Sequence, residues 1–193
     1  MIMPASINGR VYNPNMANFF SQLDDKLTSF IREQHMYFVA TACREGRINL
    51  SPKGMDTFRV LSPTRVGYLD LTGSGAETTA HVLNDGRVTV MFCSFTAKPL
   101  ILRLYGRGEI VRPGEPRWDS ISKEFPTLPG ARQIVLLNIE SLQTSCGFAV
   151  PRYELVEERP MLVEWSEKKG EAGLAEYREK KNRTSIDGLP TGF

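Results

Sequence analysis

Short β-rich runs separated by turns dominate the middle of the chain, and this pattern restricts the fold more than any other feature. Only one helix-like segment interrupts the runs. A doubly wound sheet would need a helix after almost every strand, so six or seven strands with a single internal helix favour a closed or nearly closed antiparallel barrel. The candidate runs from which these six or seven strands are expected are, in chain order, MYFVATA, RINLSP, Val60-Leu61, RVGYLDL, RVTVMFCSF, LILRLYGRGEIV, RQIVLLNIE and TSCGFAV.

The segments on either side of the barrel region do not show the strand pattern. Residues 1–17 carry Pro, Gly and several Asn and predict an extended N-terminal arm. Residues 18–34, NFFSQLDDKLTSFIREQ, place their apolar side chains on one stripe and predict a helix capped by Asn18. The predicted organisation is an arm (1–17), a barrel domain (18–155) and a helical C-terminal extension (156–193) that packs on the barrel or on a partner subunit.

The composition excludes several classes of function. The chain has 193 residues, a net charge of +2 and three cysteines without a Cys-x-x-Cys pair. So small a charge does not indicate a nucleic-acid partner, and no apolar run is long enough to cross a membrane. The start of the chain lacks the apolar region of a secretory signal, and isolated cysteines are typical of reduced thiols, so we expect a cytoplasmic protein. Two distant histidines do not predict a metal site.

The stretch LDLTGSGAETTAHVLNDGRVTVMF contains the internal helix and its glycine turn. Ser74 and Glu77 have the spacing of a capping box, and Gly86 can end the helix. A helix start after a glycine turn can bind a phosphate, although many such helices bind nothing. The loop is neither a P-loop nor a dinucleotide fingerprint, and it does not match Gly-x-Ser-x-Gly.

Four further residues are candidates for a functional or structural role. Pro52 ends a strand and turns Lys53 outward, where it is either solvated surface or an anion ligand. Arg103 alternates with leucines in LILRLYGRGEIV, so it lies on the outer face as a surface, interface or ligand residue. Cys146 is expected to be a buried and inert thiol. His81 on the internal helix is expected to have a structural hydrogen-bonding role rather than an acid–base one.

Taken in order, several stretches resemble the FMN-binding pyridoxamine 5′-phosphate oxidase-related family. They are HMYFVATACREGRINLSPKGMDTFRVL, YLDLTGSGAETTAHVLNDGRVTVMF, LILRLYGRGEIV, SCGFAVPRYELVEER and the late SIDGLP. The resemblance runs from about residue 35 to residue 190. It implies a mainly β (α+β) fold, an antiparallel six-stranded split β-barrel with flanking helices. It also implies a homodimer with FMN in clefts between the subunits.

The resemblance also assigns cofactor contacts to particular residues. The strand end with Ser51 and Lys53 matches the family's flavin-contacting strand, and the next strand passes the ring and the ribityl chain. Arg103 lies on a strand that elsewhere carries a contact to the flavin ring. The cofactor-binding residues predicted in this way are Ser51, Lys53, Tyr68, Leu69, Asp70, Ser74, Glu77, Thr78 and Arg103.

The chain departs from the family's oxidases at two places. Glu77 and Thr78 stand where the oxidases place an Arg-Lys pair on the phosphate, so the phosphate would depend on Lys53, Thr78, the helix start and Ser74. The C-terminal pattern that binds the pyridoxine ring is also absent. The predicted function is therefore an FMN-dependent oxidoreductase acting on a small molecule or a reduced nicotinamide, with its catalytic residues unassigned. The alternatives are a non-catalytic flavin carrier and a barrel that binds haem or another small ligand in the same dimer cleft.

Overall fold

The computed structural model describes residues 17–193, which form one antiparallel sheet of eight strands with helices at its edges. The strands are β1 (Asn18–Phe20), β2 (Tyr37–Thr41), β3 (Asn49–Lys53), β4 (Phe58–Ser62), β5 (Arg65–Leu71), β6 (Arg87–Cys93), β7 (Ile101–Val111) and β8 (Ala131–Ser145). The helices are α1 (Asp25–Arg32), α2 (Glu77–Asn84), α3 (Trp118–Ile121) and α4 (Met161–Lys181).

The strand order is β3-β2-β6-β7-β8-β5-β4, with the short β1 added beside β8. The end strands β3 and β4 do not pair with each other in this order, so the sheet is a split barrel rather than a closed one. The mainly β prediction is therefore confirmed, with eight strands where six were expected. The difference comes partly from the three-residue β1, whose residues pair with Leu142, Gln143 and Thr144.

Alternation along the strands builds the core inside the curved sheet. On β7, Leu102 and Leu104 are completely buried and Arg103 is half-buried, as the alternation of leucines predicted. Four aromatic rings meet at the centre with centroid separations between 5.0 and 5.8 Å. They belong to Tyr37, Phe58, Tyr68 and Phe92. These contacts hold β2, β4, β5 and β6 around one interior.

The helix predicted over residues 18–34 is wrong in its first seven residues. Asn18 begins β1, and α1 starts only at Asp25. Asp24 is the cap, because its Oδ1 accepts the Leu27 N–H at 2.7 Å and so satisfies a backbone donor at the helix start. The predicted arm, residues 1–17, lies outside the described residues except for its last position.

The last two predicted strands also differ from those in the structure. RQIVLLNIE and the Thr144-Ser145 pair belong to the single fifteen-residue β8, which ends at Ser145. Cys146 is exposed, so the expectation of a buried thiol is wrong. The chain turns at Gly147, whose φ of +68° favours glycine. The connecting segment (residues 146–160) then continues to α4 without a regular helix or strand, and every residue from 151 to 160 is exposed.

Helix α4 lies against the barrel of its own chain. It bends at Gly170, where φ is +63°. Leu174 and Ser166 are buried, and the Arg178 guanidinium donates to Thr72 Oγ1 at 3.1 Å. Between residues 17 and 193 no helix is both long enough and apolar enough to cross a bilayer.

Candidate functional site

Helix α2 begins beside the glycine turn but without the predicted capping box. Ser74 is exposed, the N-cap residue is Ala76, and in the described part of the chain no side chain caps the first turn. Glu77 instead accepts the Ile186 N–H at 2.9 Å, a contact 109 residues away that no local pattern reveals. The helix ends as predicted, with Gly86 at a φ of +83°. The start of α2 therefore presents backbone N–H groups without a side-chain cap.

A cleft of about 270 Å³ lies between the start of α2 and the neighbouring ends of β3 and β5. Six of the nine predicted site residues line it, together with the glycine turn, Asn49 and Arg132. Those six are Ser51, Lys53, Asp70, Ser74, Glu77 and Thr78. Chain folding thus brings together residues from two strands and a helix that are separated by up to 27 positions in the sequence.

A buried ion pair forms the floor of the cleft. Arg132 donates from Nε to Asp70 Oδ2 at 2.7 Å, and Gln133 donates to the same oxygen at 2.8 Å. Lys53 Nζ lies 3.7 Å from the other oxygen, Asp70 Oδ1. Burial alone would raise the pKa of Asp70, but the Arg132 and Lys53 cations and the hydrogen bonds from Arg132 and Gln133 outweigh it and hold that pKa below its usual value.

Two polar groups of the cleft have hydrogen-bonding capacity to spare. Lys53 is about one-quarter exposed, and its ammonium has three donors. Within the described residues it lies 3.7 Å from Asp70 Oδ1 and 5.7 Å from the centre of the Tyr68 ring, and it makes no closer polar contact. The Ser51 hydroxyl is buried without a hydrogen-bond partner in the described part of the chain. Beside them, the Thr78 hydroxyl accepts from the Asn49 amide at 3.1 Å. These donors suit an anionic ligand.

The remaining three predicted residues do not line the cleft. Tyr68 and Leu69 are buried in two separate clusters of the barrel core. Burial and the nearby Asp70 charge raise the pKa of the Tyr68 hydroxyl. Arg103 lies on the outer face of β7 and donates to Ser145 Oγ at 3.1 Å. A flavin contact from Arg103 stays a prediction.

Sequence reasoning missed Arg132, which connects the cleft to the C-terminal part of the chain. Its guanidinium also donates to Asn182 Oδ1 and to the Gly75 carbonyl, both at 2.9 Å. The only signal in the sequence was a charged residue at the start of an otherwise apolar strand. Its partner Asp70 depends on the register between β5 and β8, which the sequence does not reveal.

The tail after α4 (residues 182–193) covers one side of this network. Asp187 forms an ion pair with Arg47 on the turn between β2 and β3, and the Ile186 N–H donates to the Glu77 carboxylate. The Phe193 ring lies against the guanidinium groups of Arg112 and Arg132, with centroid distances of 4.5 and 5.2 Å. The predicted SIDGLP motif is thus a packed part of the site's surroundings.

Neither histidine lies in the cleft. His81 is buried on α2, and its Nδ1 lies 3.0 Å from Thr41 Oγ1, which agrees with the expected hydrogen-bonding role. His35 is exposed, with Nδ1 4.0 Å from a Glu158 oxygen. Among the described residues no group of three His, Cys, Asp or Glu side chains is arranged to hold a metal ion.

Comparisons with known proteins agree with this architecture. Residues 23–146 match the family described as pyridoxamine 5′-phosphate oxidase. The Aspergillus flavus protein ustO, named as a pyridoxamine 5′-phosphate oxidase family protein, is 40% identical over 195 residues, which cover 91% of this chain and 78% of ustO.

Two solved structures share the fold at low sequence identity. HupZ of Group A Streptococcus has a TM-score of 0.51 and 18% identity over 62% of this chain and 91% of HupZ. A Lactobacillus delbrueckii protein, named as a candidate pyridoxamine 5′-phosphate oxidase, has a TM-score of 0.51 and 22% identity over 64% of this chain and 94% of its own. At these identities the likeness concerns the fold alone.

Proposed function

Because the chain belongs to the pyridoxamine 5′-phosphate oxidase family, we propose that it binds FMN with the phosphate in the cleft at the start of α2. One observation carries the proposal. Among the described residues, Lys53 and Ser51 carry donors that no hydrogen bond occupies, and they lie beside a helix start that no side chain caps. A phosphate monoester provides the acceptor oxygens that such donors and helix N–H groups require.

The ion pair beneath the cleft makes Lys53 available to the cofactor. Arg132 already donates to Asp70 at 2.7 Å, whereas the Lys53 ammonium is 3.7 Å from that carboxylate. The Asp70 charge is therefore balanced largely by Arg132, and the Lys53 charge can face a phosphate. Thr78 adds a hydroxyl that Asn49 orients.

We propose further that the protein is an FMN-dependent oxidoreductase acting on a small organic molecule, with a reduced nicotinamide as a possible electron donor. Bound flavin supplies the redox chemistry, and the protein supplies binding, orientation and electrostatics. A cation close to the flavin ring would stabilise negative charge that develops there. Arg103 of a second subunit is the proposed source, since in its own chain it lies outside the cleft.

A homodimer is part of this proposal. The connecting segment exposes four large apolar side chains, among them Val156 at 92% and Phe148 at 76%. The segment is nevertheless tied to the barrel, because Tyr153 N–H donates to the Phe95 carbonyl at 3.0 Å and the two rings lie 5.5 Å apart. An ordered segment with exposed apolar side chains fits an interface, and the occupant proposed is a second copy of this chain.

The main alternative is a flavin carrier without turnover. Its support is that the cleft contains neither histidine, because His81 is engaged with Thr41 and His35 lies elsewhere. A site for haem or another small ligand in the dimer cleft is a further alternative. All three share the fold and differ in what the purified protein binds and does.

The visible spectrum of the purified protein tests the proposal. We expect the absorbance bands of oxidised flavin, either as isolated or after addition of FMN and removal of the excess. Bleaching by a reduced nicotinamide and recovery in air would support the oxidoreductase, whereas bound flavin that does not turn over with any donor would support the carrier. A protein that takes up haem but no flavin would overturn the proposal.

A further inference from the structure

Glu77 places a carboxylate at the end of the cleft where the proposed function needs a phosphate. Its Oε1 accepts the Ile186 N–H at 2.9 Å, which fixes the side chain. Its Oε2 is buried and has no hydrogen-bond partner within residues 17–193. A ligand donor that reaches Oε2 would satisfy this buried acceptor, whereas a ligand without a proton to donate would leave it unsatisfied.

The charges that line the cleft disfavour a dianion. The ionisable side chains of the lining are two cations, Lys53 and Arg132, and two carboxylates, Asp70 and Glu77. Arg132 is already committed to Asp70, Asn182 and Gly75. A fully deprotonated phosphate would thus meet one ammonium group, a helix start and a nearby carboxylate of its own sign.

On the basis of the proposed function, we propose that Glu77 is a specificity-determining residue that makes the cleft bind the phosphate monoester with one proton retained. The P–OH group donates a hydrogen bond to Glu77 Oε2, while the other phosphate oxygens accept from Lys53, Ser51 and the start of α2. A hydroxyl donating to a carboxylate forms a strong, charge-assisted hydrogen bond. The ligand class selected is a phosphate ester monoanion.

The proposal predicts how FMN affinity varies with pH. The second pKa of a phosphate monoester is about 6, so the monoanion becomes scarce above that pH. From about pH 6 to about pH 8, FMN affinity for the wild-type protein should fall by more than tenfold, and FMN binding near pH 8 should take up about one proton. Fluorescence titration gives the affinity, and calorimetry in buffers of different ionisation enthalpy gives the proton count.

Glu77→Gln is the informative variant, because an amide can donate to a dianion. At about pH 8 it should bind FMN at least about tenfold more tightly than wild type, without proton uptake. Riboflavin is the matched ligand, since it lacks the phosphate. Its affinity should change less than about threefold with pH or with the substitution.

The pH dependence of FMN affinity that is due to Glu77 must be distinguished from any that is due to the titratable groups around it. From the packed elements these are Lys53 on β3, Asp70 on β5, Arg132 on β8, His81 on α2 itself, Arg47 on the β2–β3 turn and Asp187 in the tail. None of them is removed in Glu77→Gln. A pH dependence that originates at His81 or Asp187 would therefore persist in the variant, whereas the proposed one disappears.

Inorganic ions provide a test that needs no variant. Phosphate should compete with FMN more effectively as the pH falls, whereas sulfate, which has no proton to donate over this range, should compete at least about tenfold less well. Equal competition by the two ions, or an FMN affinity independent of pH, would overturn the role of Glu77 while leaving flavin binding intact. If neither FMN nor riboflavin binds at any pH, the proposed function fails and this inference fails with it.

Discussion

At the scale of single residues, Lys53 is the position on which cofactor affinity should depend most. Lys53→Ala removes the only ammonium group that the described residues contribute to the cleft lining, and it should weaken FMN binding by about 2 kcal/mol, or roughly thirtyfold in Kd. Fluorescence titration measures the change. Lys98→Ala, at an exposed position in the loop between β6 and β7, is the matched control and should leave the Kd unchanged. An unaltered Kd in Lys53→Ala would remove the assignment.

Asp70 should matter more for stability than any exposed carboxylate does. Asp70→Asn leaves the Arg132 guanidinium buried without its counter-charge, which should cost about 3 kcal/mol of unfolding free energy in urea denaturation. Asp56→Asn is the control, because its pair with Arg59 is exposed and should contribute less than about 1 kcal/mol. Similar losses of unfolding free energy in the two variants would contradict the prediction that the buried ion pair contributes more to stability than the exposed one.

The same carboxylate predicts a pH dependence. The pKa of Asp70 is lower in the folded protein than in the unfolded chain. Its stabilisation is therefore fully present above the unfolded pKa of about 4 and is lost as the pH falls through the folded value. Over that acid range the wild-type protein should lose more unfolding free energy than Asp70→Asn does. Parallel urea curves at several pH values would show this, and equal losses would contradict it.

Many of the residues that line the cleft could be predicted from the sequence. The residues that were missed were missed for physical reasons. A proline-terminated strand, a glycine turn and a family resemblance sufficed for Lys53 and Thr78, because those signals are local. Arg132 and the Glu77–Ile186 contact depend on strand register and on a tail more than one hundred residues away. The two partners in each of these hydrogen bonds lie far apart in the sequence, so no local pattern identifies them.

At the scale of secondary-structure elements, the contact between β7 and β8 leaves no room at Gly106. A Cβ there would lie 1.9 Å from the Asn138 carbonyl oxygen, where the register between the two strands shifts. Gly106→Ala should therefore destabilise the protein by about 3 kcal/mol, measured as a change in urea midpoint. If its midpoint matched that of the wild type, the close approach would be refuted.

Gly173→Ala serves as the comparison for the same chemical change. Gly173 lies in α4, and an added Cβ would make ordinary contacts of 3.6 Å with the Lys169 side chain. Alanine has the higher helix propensity, so this variant should be more stable by up to about 1 kcal/mol. Opposite signs for the two substitutions would show that the space available, rather than the loss of glycine, decides the effect.

Most elements could be predicted from the alternation of apolar residues, and the errors occurred where tertiary contacts override a local pattern. Residues 18–20 have a helical apolar stripe but pair with β8, since a strand edge is available to them. The break expected between RQIVLLNIE and TSCGFAV is absent, because β8 has partners along its full length. The intrinsic preference of a short segment for helix or strand does not depend on which neighbouring strands are available to pair with it, so it does not reveal this pairing.

At the scale of the whole molecule, we expect a dimer with twice the chain mass of 21.7 kDa. Val156→Glu should convert it to a monomer at micromolar concentration, because a charge in the apolar contact of the connecting segment would be desolvated. Light scattering measures the mass. Leu83→Glu, at an apolar position on α2 that is 55% exposed, is the control and should remain dimeric. A monomeric wild-type protein would contradict the proposed interface.

Strand β8 also determines how this sheet can be assembled. It pairs with β7 on one side and with β5 on the other, so it is the only link in the strand order between the β3-β2-β6-β7 group and the β5-β4 group of the described sheet. Bringing Asp70 opposite Gln133 closes a loop of about sixty residues before β5 can pair with β8. Refolding should consequently be slow for a protein of this size, with the two groups of strands gaining protected amides before the cleft exists.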